Sequence, residues 1–180
     1  ETSAKDNNPL LDVGPSIRFD RIDATHVEPA ISTLIARAQG NIDAIGAVRE
    51  TTYENTFGAL DHASTELEIA YGLVSHLEGV TENPVLREAY NAVQPEISRF
   101  FSSIALNAAL YGALRTFAKT PAAAKLNPTR TRFVEKTLDD FRRHGAELNE
   151  ADKARLRAVE IELAEVTNRF SQNVGDGTDA

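Results

Sequence analysis

Four histidines, His26, His62, His76 and His144, are the side chains best suited to bind a metal or move a proton near neutral pH. Each has a carboxylate nearby in sequence: Glu28, Glu66, Glu78 and Glu147 respectively. A hydrolytic zinc site on a helix needs more. Two histidines must stand one turn apart, so that both rings face one metal, with a glutamate beside the first as base. No histidine here has a second within a turn. A di-iron bundle needs Glu-x-x-His on two helices. The residues three before each histidine are Asp23, Ala59, Leu73 and Phe141, so that pattern is absent too. Ser75 and His76 set a nucleophile beside a base, but sequence neighbours on a helix point in different directions. The histidines therefore read as surface or capping residues.

The charged and aromatic residues lead to a similar reading. Arg130, Arg132, Lys136, Arg142 and Arg143 form a basic stretch, with Glu135, Asp139 and Asp140 interleaved. Opposite charges at three- and four-residue spacing make a solvated helix face rather than a phosphate site. Glu147, Glu150 and Asp152 suit the positive end of a helix better than a metal. Tyr71, Tyr90, Phe100, Phe101, Tyr111, Phe133, Phe141 and Phe170 lie on or beside apolar stripes and read as packing. Tyr53 and Tyr90, near helix starts, are the two placed to meet a partner or a peptide instead.

The elements that position these groups follow from composition and period. The chain has 180 residues, 42% hydrophobic and 26% charged, enough for one domain with its own core. A net charge of −8 disfavours nucleic acid and anionic membrane surfaces as partners. No apolar run approaches the roughly 20 residues of a membrane helix. There is no Cys, hence no disulfide framework and no thiol chemistry. This fits a cytoplasmic protein, with a periplasmic one as the alternative. There is no Met either, and the polar start from Glu1 to Asn8 is no signal peptide. The expectation is a processed chain or an excised segment.

Residues 1–24, spaced by Pro, Gly and Asp, read as an extended arm anchored by Ile17, Phe19 and Ile22. Thr25 and Glu28 have capping-box spacing and predict the first helix start. Val27, Ile31, Leu34, Ala38, Ile42 and Ile45 then mark one apolar face. A second helix is predicted from Thr52, striped by Leu60, Ala63, Leu67, Ala70, Val74 and Leu77. Asn83-Pro84 opens a third, whose interior Pro95 predicts a kink or a break. A shorter helix runs from Leu106 to Phe117, and a fifth follows Asn127-Pro128 until Gly145 stops it. Asn149 and Asp152 cap a sixth, with Leu156, Val159, Leu163, Val166, Phe170 and Val174 as its apolar stripe and Gly175 as its stop. No stretch alternates with period two, so little or no sheet is expected. The fold class read from this pattern is all-α: an antiparallel bundle of about six helices over 25–175, with an N-terminal arm and a frayed tail at 176–180.

Several stretches, in order, resemble the N-terminal region of the thimet oligopeptidase and oligopeptidase A family. They are Asn8-Pro9-Leu10-Leu11, Ile17-Arg18-Phe19-Asp20-Arg21-Ile22, His26-Val27-Glu28-Pro29-Ala30-Ile31 and Thr52-Tyr53-Glu54-Asn55-Thr56. The run from Ser75 through Asn91 is similar to oligopeptidase A in particular, and Leu148 through Val174 resembles the long helix closing that region. The likeness covers nearly the whole chain. It implies two helical halves flanking a deep channel that admits short, unfolded peptides. It implies that a His-Glu-x-x-His helix and a later Glu hold zinc, which activates the attacking water. No His-Glu-x-x-His occurs in this sequence.

The resemblance therefore implies a substrate-channel-forming domain of a zinc metallo-oligopeptidase, non-catalytic on its own. Catalytic, cofactor-binding and metal residues are none in this chain, and zinc belongs to a catalytic domain of the same polypeptide. Expected partners are that domain and short peptides, with no nucleic acid and no membrane, and self-association of the isolated chain. The alternative is a standalone helical module that binds peptides or proteins. A hydrolase with an unusual site of its own ranks last.

Overall fold

Asp23, not Thr25, opens the first helix of the computed structural model, which describes residues 8–12, 14, 17–81 and 83–178, without the side chains of 175, 176 and 178. The Asp23 carboxylate accepts the Thr25 N–H at 2.9 Å and the Thr25 hydroxyl, and the Asp23 N–H donates to His26 Nδ1 at 3.1 Å. A carboxylate is the stronger acceptor, so the expected Thr25–Glu28 box moves to Asp23–His26. Helix α1 then spans Ala24–Gly46, and all six stripe residues from Val27 to Ile45 are buried. The larger ones each contribute about 2 kcal/mol by leaving water.

The expected second helix is broken. Thr52 and Asn55 cap each other, the Thr52 N–H to Asn55 Oδ1 at 2.7 Å and the Asn55 N–H to Thr52 Oγ1 at 3.2 Å. A π turn follows over Glu54–Gly58, in which the Gly58 N–H reaches back to the Tyr53 carbonyl at 2.8 Å. Helix α2, Ala59–His62, ends where the Asn41 side chain takes the Ala63 carbonyl at 3.0 Å. Helix α3, Thr65–Val80, starts afresh.

Asparagines start the next three helices by accepting backbone N–H groups. Asn83 caps α4, Pro84–Leu106; Asn107 caps α5, Ala108–Ala118; Asn127 caps α6, Pro128–Arg143. Pro95 does not break α4, because buried Val93 and Ile97 hold the helix on both sides of the missing N–H. Gly145, at φ +90°, ends α6, and the Ala146 N–H closes the turn on the Phe141 carbonyl at 3.0 Å. Helix α7, Glu150–Thr178, runs through Gly175 rather than stopping there. Glycine inside a helix costs about 1 kcal/mol but does not by itself end one. The expected polar start at 1–7 and the last two residues of the expected tail lie outside the described residues.

Among the described residues there is no strand, and no helix is long and apolar enough to cross a membrane. The all-α bundle expected from the sequence is the fold found, with six helices of eleven residues or more. Two apolar clusters form its interior. Val27, Ile31 and Leu34 of α1 pack with Leu67 and Val74 of α3 and with Val93, Ile97 and Phe100 of α4. Ile42 and Ile45 of the same α1 pack with Phe57, Leu110, Leu114, Phe117 and Phe141.

Two expectations fail at the ends. Ile17 and Phe19 do not anchor the arm, being about 40% exposed; Ile22 does pack on the core, and Leu10 anchors the arm at 1%. Its turn is fixed by Asn8, whose side chain accepts the Leu10 N–H and donates to the His26 carbonyl. On α7, the predicted core stripe faces outward. Val159, Leu163, Val166, Phe170 and Val174 are 53–67% exposed, because the helix meets α4 through its polar side.

A polar cleft walled by three helices

Helix α7 lies against α4 without closing the space beside α3, and a cleft of about 830 Å³ opens between the three. Its floor presents Ser75, Tyr90 and Gln94, with Tyr71 bonded behind them. The Tyr71 and Tyr90 rings stack at 5.7 Å, and their hydroxyls are 3.2 Å apart. Gln94 Nε2 donates to the Tyr71 oxygen at 2.7 Å, and Ser75 Oγ stands 3.4 Å from the Tyr90 oxygen. Burial first, and the Tyr90 hydrogen bond second, push the Tyr71 phenol above its ordinary range, while Gln94 pulls the other way.

The rim is charged and the far wall amidic. Glu78 Oε1 pairs with Arg87 Nε at 3.2 Å. Asn91 Oδ1 accepts from Asn168 Nδ2 at 3.1 Å and from Gln172 Nε2. Asn168 and Gln172 are one turn apart on α7, so both reach a single oxygen. Glu160, also lining the cleft, has Oε2 sealed from solvent without a hydrogen-bond partner. Such a set can hydrogen-bond a polar ligand; it contains no nucleophile paired with a base.

The residues singled out by sequence are dispersed. His26 is spent on the α1 cap. His62 is exposed, His76 lies 6.1 Å from the Phe19 ring, and His144 Nδ1 is 2.8 Å from the Asp140 carbonyl oxygen. Ser75 turns to the cleft while His76 turns to the arm. Among the described residues no three His, Cys, Asp or Glu side chains gather as a metal group. Three members of the basic stretch are paired: Arg130 with Glu54 at 3.0 Å, Arg142 with Asp139, Arg143 with Asp140 at 3.9 Å. Arg130 also caps the Tyr53 ring at 4.1 Å, so Tyr53 meets α6.

The acidic series is likewise divided. Glu147 accepts from the Tyr111 hydroxyl at 2.8 Å, Glu150 from Lys153 at 3.2 Å, and Asp152 from Asn149 at 2.7 Å. Burial, then the bond to Glu147, raise the Tyr111 phenol. Of the cleft residues, the sequence flagged Tyr90 as a contact candidate. Asn168 and Gln172, and Asn91 that accepts from both, were missed, although the Asn168–Gln172 spacing on an otherwise amphipathic helix was a usable signal.

Comparison with known proteins agrees with this architecture. Residues 31–155 match the family described as the neurolysin and thimet oligopeptidase N-terminal domain. The chain is 28% identical to the organellar oligopeptidase A of Arabidopsis thaliana over 96% of its length, which is 22% of that protein. It is 29% identical to oligopeptidase A of Haemophilus influenzae over 96% of its length, 25% of that protein. With oligopeptidase A of Escherichia coli the figures are 30%, 95% and 25%. The chain thus spans about a quarter of the relatives it matches. It belongs to the thimet oligopeptidase and oligopeptidase A family, and corresponds to the N-terminal domain of its members.

Proposed function

We propose that this chain is the N-terminal helical part of a zinc oligopeptidase of the oligopeptidase A type. It supplies wall to a channel for short peptides and carries no catalytic or metal-binding residue of its own. Its functional body is the helical region 25–175, preceded by the arm 1–24. The zinc, and the groups that act with it, belong to a catalytic domain of the longer polypeptide, which is this chain's constant partner. Short peptides are its transient ones. The cytoplasm is the inferred compartment, with the periplasm as the alternative.

The observation that carries this reading is the extent of the likeness: 95–96% of the chain aligns with proteins named oligopeptidase A. The chemistry of the cleft agrees, since hydroxyls, carboxamides and one ion pair suit the backbone of an extended peptide. A net charge of −8 argues against a nucleic-acid role for the same surface.

The test is a hybrid enzyme in which this chain replaces the matched quarter of Escherichia coli oligopeptidase A. The hybrid is expected to cleave a short quenched fluorescent peptide, to lose activity on chelation and to regain it with zinc. The chain alone is expected to do neither. Turnover by the chain alone, with stoichiometric metal, would overturn the non-catalytic reading. Peptide binding by the chain alone, beside a folded, zinc-loaded but inactive hybrid, would favour a standalone binding module.

A further inference from the structure

We propose that the outer face of α7 is the seat of an amphipathic helix from the remainder of the peptidase polypeptide. This rests on the reading of the chain as part of a longer enzyme, and it names the surface that joins the parts.

On α1, α4 and α5 the apolar stripe is buried. On α7 it is not: Val159, Leu163, Val166, Phe170 and Val174 stand 53–67% exposed along one line, with Leu163 at the edge that also borders the cleft. Contiguous apolar surface of this kind marks an interface on a soluble protein. The helix is already held on its other side, where Asn168 and Gln172 bond to Asn91. Docking on the outer face therefore asks for no rearrangement of the bundle.

The stripe advances by four, three, four and four residues, the spacing of a seam between two helices. Exposed Arg155, Glu162 and Arg169 flank it with both signs of charge. Such an edge suits a helix carrying mixed charge and does not suit a phosphate backbone or an anionic lipid. The relatives supply the occupant, because 75% or more of their polypeptide lies outside the segment matched here.

The chain has no cysteine, so a single introduced thiol is the only one this chain contributes, and in the hybrid its labelling is read on the peptide that carries it. Val166→Cys and Phe170→Cys are made in the isolated chain, at dilute concentration, and in the Escherichia coli hybrid; maleimide labelling rates at those positions are compared. Labelling is expected to be fast in the isolated chain and at least about tenfold slower in the hybrid, as for a surface that opens only by local unfolding. Equal rates in an active hybrid would overturn the docking face and leave the peptidase reading standing. Protection in a folded, zinc-loaded but inactive hybrid would support the docking face and remove that reading. A dilution-resistant dimer that shields both thiols in the isolated chain would overturn the proposal in favour of a second copy. If the hybrid does not fold, overlapping synthetic peptides spanning the rest of the relative's sequence are added to the isolated chain. Protection by one helical peptide supports the proposal, and protection by none overturns it.

Discussion

Asn168 reaches back across 77 residues of sequence to Asn91, donating to its Oδ1 at 3.1 Å. Asn91 lies one turn before Pro95, so its backbone carbonyl lacks the usual helical donor. The long last helix is thus fastened where α4 has lost a rung of its own ladder.

Removing that fastening should loosen α7 first. Asn91→Ala leaves the Asn168 and Gln172 donors to water, at a cost of about 1 kcal/mol for a partly buried pair of bonds. Amide exchange in 150–178 is expected to quicken, with protection in α1 unchanged. Uniform loss across the chain would contradict this.

A half-buried phenol and a buried one predict alkaline sensitivity. Tyr71 and Tyr111 both have phenols raised above the ordinary value, and the unfolded chain titrates near pH 10. Above that pH the unfolded state loses its protons first. The stabilisation is therefore full below about pH 10 and lost as pH rises toward the folded values. Ultraviolet titration should show late phenolate formation, and Tyr71→Phe should remove part of it.

Gly145 is held by both backbone and space. At φ +90° any other L residue is strained, and an added Cβ would stand 2.8 Å from carbons of Leu148 and Leu156. Gly145→Ala is expected to lower stability by about 2 kcal/mol or more in denaturant unfolding.

At the start of α1, the Thr25 hydroxyl bond holds the Asp23 carboxyl below its usual range. A lowered carboxyl stabilises above the ordinary carboxylate pKa, and that contribution is lost as pH falls through the folded value. Asp23→Asn should keep the cap and lose this acid dependence. Asp23→Ala should lose the cap, at about 1 kcal/mol. Acid unfolding curves of the three proteins separate these cases.

The isolated chain is expected to self-associate weakly through α7. Leu163→Gln or Phe170→Gln should shift sedimentation toward the monomer, whereas Val85→Gln, exposed at 63% on α4, should not.

What the sequence made legible was local. The starts at Asn83-Pro84 and Asn127-Pro128 and the buried stripe of α1 follow from spacings of a few residues, whereas the Asn107 cap, which ends α4 at Leu106 and opens α5, was passed over. The break after α2 was not legible, because Asn41, 22 residues away, captures the Ala63 carbonyl. The facing of α7 was not legible either. An apolar stripe says that a face needs cover, and only the Asn91 contact says which face this bundle covers. The cleft depends on Tyr71 and Tyr90, 19 residues apart on two helices, and each alone reads as ordinary packing.

Helix α1 carries Leu34 into one apolar cluster and Ile42 into the other. The two clusters thus share a single rod, and loss of that rod removes part of both. Damage at one end should be felt at the other as a common melting temperature, so that the two clusters unfold as one cooperative unit.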